Sequence, residues 1–151
     1  MTCHDWWRIF KHSEHHSLNK INIHSYNYIV GPYNINNAHW VAVIINMTSS
    51  QFQVINPKGN SVSLSKNCLD AWVQYYNRRN DVLIEKWEHN VKNIQHPIQS
   101  STDSYNCGVF TCFFIEQYVK HTEQINFKSS RKDLAALRNH IASTLDSNKS
   151  E

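Results

Sequence analysis

The sequence predicts an α+β fold: a small mixed sheet flanked by helices. Three observations carry this. The stretch "HWVAVIIN", His39–Asn46, is a nearly unbroken apolar run of strand length, rich in β-branched residues, and so a central buried strand. After a polar turn, "MTSS", the stretch "QFQVIN" alternates apolar and polar residues and makes the return strand of a hairpin. Far along the chain, "SSRKDLAALRNHIASTL" places Leu134, Leu137, Ile141 and Leu145 on one helical stripe, with Ser129 or Ser130 as cap and Asp133 in the first turn.

The other elements come in order along the chain. "DWWRIFKH" predicts a short helix. "YNYIVGPYN" reads as a strand running into a turn at Gly31-Pro32, and Pro57-Lys58-Gly59-Asn60 ends the hairpin. "SKNCLDAWVQYYNRR" is helical, with Leu69, Trp72, Val73 and Tyr76 on one face and Asp70 near its start. "VLIEKWEHNV" reads as a further strand. "CGVFTCFFIEQYVKH", Cys107–His121, is long enough for a helix and too apolar for an exposed one.

Composition narrows the class. The chain is 40% hydrophobic, 12% aromatic and only 18% charged, which supports a packed core and excludes a disordered chain. The net charge is +3 with no basic run, so nucleic acid is not indicated as a partner. No apolar run approaches the roughly 20 residues of a membrane helix. "MTCHDWWRIF" lacks the apolar core of a signal peptide, so an intracellular place, nucleus or cytoplasm, is expected. Four cysteines in such a chain read as thiols rather than a disulfide frame.

Chemistry concentrates at "DSYNCGVFTCFF". Cys107 precedes a glycine and opens a buried helix. A thiol there meets unpaired backbone N–H groups and the positive end of the helix dipole, which favour the thiolate nucleophile. Gly108 leaves room for a substrate backbone. The plain alternative is a small buried hydrophobe. His39 opens the buried strand, where an imidazole can reach over the sheet edge, take the thiol proton and return it to a leaving amine. If the two strands pair as a hairpin, Asn56 ends beside His39, and its amide oxygen can hold the ring. Taken singly, a histidine at a strand end and "NPKG" as a turn are ordinary. The three together form a Cys–His–Asn constellation.

Other thiols and histidines rank lower. Cys68 also stands at an expected helix start but has no histidine partner, and Cys112 is expected in the core. Cys3, His4, His12, His15 and His16 cluster in sequence, but their spacing fits no regular zinc pattern, so no metal and no cofactor is expected.

With these residues in view, "NNAHWVAVIINMTSSQFQVINPKGN" followed by "PIQSSTDSYNCGVFTC" resembles the ubiquitin-like-protein proteases, the SUMO-protease and adenoviral-protease group of cysteine proteases. The resemblance runs from about Ile21 to Leu145. It implies a cysteine-protease-like fold with the nucleophile at a buried helix N-terminus. It also implies cleavage after the C-terminal Gly-Gly of a ubiquitin-like modifier, SUMO first, by a monomer. Cys107 would be the nucleophile, His39 the base, and Asn56 its orienting group. The Gln99 amide would join the Cys107 N–H at the oxyanion. Trp40 would wall the narrow channel for the Gly-Gly tail, a passage too tight for any larger side chain.

Three departures from the family pattern stand out. Asn56 replaces an aspartate and brings no charge to stabilise imidazolium, so impaired activity is expected. Gln99 lies two residues further from the cysteine than the family's glutamine, whose place Ser101 holds; a bulge in "SSTDS" would absorb the difference. Only 38 residues precede His39, fewer than family domains carry. The expected partition is therefore 1–20 as a remnant of the N-terminal helical part, 21–145 as the catalytic domain and 146–151 as a disordered tail. The departures also support an alternative: an inactive module that binds a ubiquitin-like protein, or a protease relic of a mobile element.

Overall fold

The computed structural model describes residues 1, 3–12, 20–59, 61–80, 87–89, 97–120 and 130–147. Helix α1 is Cys3–His12. The strands β1, Tyr28–Ile35, β2, His39–Asn46, and β3, Gln51–Ile55, come next. Helix α2 is Val62–Asn80, β4 is Glu88–His89, α3 is Cys107–Val119 and α4 is Arg131–Ser147. The strands lie in the order β1-β2-β3-β4; the first three are antiparallel and β4 joins β3 in parallel. This is the expected α+β class with a mixed sheet.

Strand geometry divides the core. Successive side chains of a strand point to opposite faces. Val41, Val43 and Ile45 of β2 pack with Trp6 and Ile9 of α1 and with Trp72 of α2. Ala42 and Ile44 pack with Phe110 and Phe114 of α3 and with Leu134 of α4. The sheet is thus the middle of three layers. The same division explains β3. Its alternation predicts one wet face, yet Phe52, Gln53, Val54 and Ile55 are all buried, because helices cover both sides.

Several expectations change. β1 runs straight through Gly31-Pro32, paired with Val43 and Ala42. A β-carbon on Gly31 would lie 2.4 Å from the Trp6 indole nitrogen and 2.5 Å from the Met1 carbonyl oxygen, so the glycine serves a close approach rather than a turn. Pro32 is tolerated because β1 is an edge strand. The turn falls instead at Asn36 and Asn37, with φ of 52° and 57°. Asparagine adopts that left-handed region more readily than most residues.

α2 begins earlier than expected, so Cys68 sits inside the helix rather than at its start. Its buried face is Ser65, Cys68, Trp72, Tyr75 and Tyr76, with Leu69 and Val73 only partly covered. Cys112 of α3 is exposed, not core. Ser130 caps α4 by accepting the Asp133 N–H at 3.3 Å. Leu134 and Leu137 are buried, whereas Leu145 is exposed, so only the first half of that stripe is covered. α4 continues through Ser147, past the expected start of the tail. Within the expected N-terminal remnant, Trp6 and Ile9 are fully buried core residues. Of the expected strand "VLIEKWEHNV", residues 82–86, 90 and 91 lie outside the described residues, as do 13–19 and the side chains of Cys3 and His4, and with them most of the cysteine–histidine cluster. Among the described residues, no group of histidine, cysteine and carboxylate side chains could hold a metal ion.

Candidate active site

The start of β2 and the end of β3 lie at one edge of the sheet. His39 and Asn56 meet there: the His39 Nε2 lies 2.7 Å from the Asn56 Oδ1. An amide oxygen only accepts, so Nε2 carries a proton, and in the neutral ring the lone pair is on Nδ1. That Nδ1 is buried and has no hydrogen-bond partner among the described residues. Asn56 Oδ1 also accepts the Lys58 N–H at 2.9 Å, which fixes the amide in the turn after β3.

α3 approaches the same edge by its first turn. A β-carbon on Gly108 would lie 3.4 Å from Cδ1 of Trp40, so the half-buried indole rests against the glycine. The same contact sets the start of α3, which holds Cys107, against the start of β2, which holds His39. Cys107 is 6% exposed and is the first residue of α3. The side chain of its N-cap, Asn106, makes no capping bond. The N–H groups of Cys107, Gly108 and Val109 find no acceptor among the described residues, and the first helical bond runs from Phe110 N–H to the Asn106 carbonyl at 3.0 Å. Such a cluster of unclaimed donors suits a developing oxyanion.

Gln99 reaches this edge from the other side. Its backbone N–H donates to the Pro57 carbonyl at 2.7 Å, one residue beyond Asn56. Its side chain is 2% exposed, and Nε2 donates to the Asp103 carbonyl at 2.7 Å. Oε1 has no partner among the described residues. The extra length between Gln99 and Cys107 is taken up by a turn, with Asp103 N–H donating to the Ser100 carbonyl at 3.0 Å. Ser101 is exposed at the tip of that turn. The structure therefore brings Gln99 to the site's border with one amide N–H engaged, and leaves Ser101 facing solvent.

Asp103 and Asn106, given no role of their own from the sequence, brace the loop before Cys107. Asp103 accepts from Tyr105 N–H at 3.0 Å, from Asn106 N–H at 3.1 Å and from Asn106 Nδ2 at 2.7 Å. Burial alone would raise its carboxyl, but these bonds, with the Gln99 amide, outweigh it and hold the group below the usual aspartate value. The sequence signal for this bracing is Asp103 and Asn106 at the i, i+3 spacing of a capping pair. Cys68, the other thiol considered, is buried and pushed up to about 12 by that burial, so it stays a thiol at neutral pH.

Buried polar atoms without partners gather around this edge. Of the eight among the described residues, His39 Nδ1, Gln99 Oε1, Asn106 Oδ1 and Thr111 Oγ1 belong to the segments that build it. Unsatisfied buried groups cost roughly 1–3 kcal/mol each, and water or a bound substrate can supply the missing partners.

Comparison with known proteins fits this arrangement. The sequence profile of the Ulp1 protease family, C-terminal catalytic domain, matches residues 4–149. No curated protein matches the chain by sequence. Among solved structures, the C-terminal Ulp1 protease domain in complex with Smt3, the yeast ortholog of SUMO, aligns over 90% of this chain and 62% of its own, at 17% identity and a TM-score of 0.69. SUMO protease Ulp1 with its catalytic cysteine oxidized to a sulfonic acid aligns over 81% and 54%, at 21% identity and a TM-score of 0.61. The Ulp1-like SUMO protease catalytic domain of Chaetomium thermophilum aligns over 74% and 46%, at 19% identity and a TM-score of 0.54. At these identities the structures show a shared fold, and the chain spans only about half to three-fifths of their length. With the profile covering nearly all of it, the chain belongs to the Ulp1 protease family.

Proposed function

We propose that this chain is a cysteine peptidase or isopeptidase that cleaves after the C-terminal Gly-Gly of a ubiquitin-like modifier, with SUMO the first candidate. The observation that carries it is the 2.7 Å bond from His39 Nε2 to Asn56, which leaves Nδ1 as an unpaired base at the edge where α3 presents Cys107. In this reading the Cys107 thiol gives its proton to His39 Nδ1 and its sulfur attacks the glycine carbonyl. The N–H groups at the start of α3, with Gln99 alongside, stabilise the negative oxygen. His39 returns the proton to the leaving amine, and a thioester remains. Water, deprotonated by His39, hydrolyses the thioester and restores the thiol.

The placing of Trp40 against Gly108 supports the glycine requirement, since it sets a flat indole as a wall beside the start of α3. SUMO is favoured because the solved Ulp1 domain is bound to Smt3. A second reading, a module that binds the modifier without cutting it, draws on the uncharged Asn56 and on the Gln99 N–H given to Asp103.

Gly-Gly-ended modifiers carrying an electrophilic warhead separate the two. SUMO, ubiquitin and other modifier probes are incubated with the protein and the adduct is mapped. Labelling of Cys107 that disappears in Cys107→Ala is the expected result. Binding without labelling selects the second reading.

A further inference from the structure

We infer that a groove between the nucleophile loop and α4 selects an acidic segment on the leaving side of the scissile bond; this rests on the peptidase reading above. The groove has a volume of about 460 Å³. Asp103, Tyr105 and Asn106 form one wall, and Arg131, Leu134 and Arg138 of α4 form the other. Its lining includes Asn106, the residue before Cys107, so the groove lies beside the nucleophile of the peptidase reading.

Charge decides what it accepts. Neither Arg131 nor Arg138 makes a hydrogen bond or an ion pair among the described residues. Both guanidiniums are therefore available as bidentate partners for a carboxylate. The one carboxylate in the lining, Asp103, is held by Tyr105 and Asn106 of its own loop. Arg131 is the first residue of α4, where the helix dipole disfavours a cation, and the two positive contributions together call for an anion. Tyr105 is 84% exposed and offers a ring face beside them. A groove with two unpaired cations, an exposed aromatic ring and an apolar floor at Leu134 fits an extended peptide bearing Glu or Asp.

The acyl side of the bond supplies no such charge near the nucleophile, because there the peptidase reading requires glycine. The carboxylates then belong to the leaving segment: a precursor's tail, or the residues around a modified lysine.

The test uses Smt3 fusions whose Gly-Gly precedes a glutamate-rich, a glutamine-rich or a lysine-rich tail, together with the free tails as fluorescent peptides. For the wild-type protein, kcat/KM is expected to favour the glutamate tail over the glutamine tail by roughly fivefold, the scale of one or two exposed ion pairs. The preference shrinks as salt is raised. In R131E/R138E the order inverts toward the lysine tail. A wild-type ratio near one overturns the inference, as does a ratio unchanged in the double variant. A double variant that slows all three tails equally means the groove holds the body of the modifier, and overturns it too. If no fusion is cut, the peptidase reading fails for this modifier, and the free peptides decide whether the groove takes an acidic segment. Tighter binding of the glutamate peptide, reversed in R131E/R138E, upholds the groove; equal binding of the glutamate and glutamine peptides overturns it.

Discussion

The two faces of the sheet share their strands and differ in what packs on them. Beneath α1 and α2 the core is an aromatic cluster. Trp6 and Trp72 have centroids 6.3 Å apart, Trp72 and Trp87 5.7 Å, and Tyr76 and Trp87 5.2 Å. Beneath α3 the packing is mainly aliphatic, with Phe110 and Phe114 at 6.0 Å. Unpaired polar atoms occur on both sides but differ in kind. On the aromatic side they are indole N–H groups of Trp6, Trp72 and Trp87, each attached to a large ring whose burial offsets the loss. At the edge of the α3 side they are an imidazole nitrogen, two amide oxygens and a hydroxyl, and the eighth is the amide oxygen of Asn34 on β1, opposite Trp40. In the proposed function, stability rests mainly on one layer and reactivity on the rim of the other.

Substitutions on the two faces should therefore separate. The largest effect belongs to the aromatic layer. Trp72 is fully buried; Trp72→Ala is expected to cost about 3–5 kcal/mol, measured by urea unfolding, and to lose activity only through loss of fold. Next comes Asn56. Asn56→Ala is expected to lower kcat by on the order of 10², while its stability falls only by about 1 kcal/mol for the lost bond to Lys58 N–H. Asn56→Asp should match or exceed the wild-type kcat, because a carboxylate also stabilises the imidazolium. Equal rates in all three would make Asn56 a turn residue alone. The smallest separation is at Gln99. Gln99→Ala should lower kcat about tenfold or more while the exposed Ser101→Ala does little. A larger effect at Ser101 would reverse the assignment of the oxyanion donor.

How far the sequence discloses this molecule depends on the range of the interaction. β2 and β3 are legible because burial and alternation are written residue by residue. Gly31-Pro32 misleads because the reason for the glycine is Trp6, remote in sequence, while the turn chemistry at Asn36 and Asn37 is local and goes unnoticed beside it. The meeting of His39 and Asn56 is legible because a hairpin returns its ends to one edge, so their nearness comes from strand lengths alone. The cross-bracing by Asp103 and Asn106 is local too, but a single i, i+3 pair in a polar loop carries little signal. The groove is different: it exists only because α4 packs beside the loop before Cys107, and no spacing along the chain connects Tyr105 with Arg138.

In the proposed mechanism the sheet edge joins Cys107 and His39 into one reacting unit. The most direct measurement needs no substrate: the rate of iodoacetamide alkylation at each cysteine near neutral pH, with peptide mapping, in the wild type and in His39→Ala. Cys107 is expected to react first, Cys68 to stay unmodified while the protein is folded, and His39→Ala to slow Cys107 by about tenfold or more, the lower range of general-base effects. Cys107 reacting no faster than the other thiols, or at the same rate without His39, would contradict that mechanism.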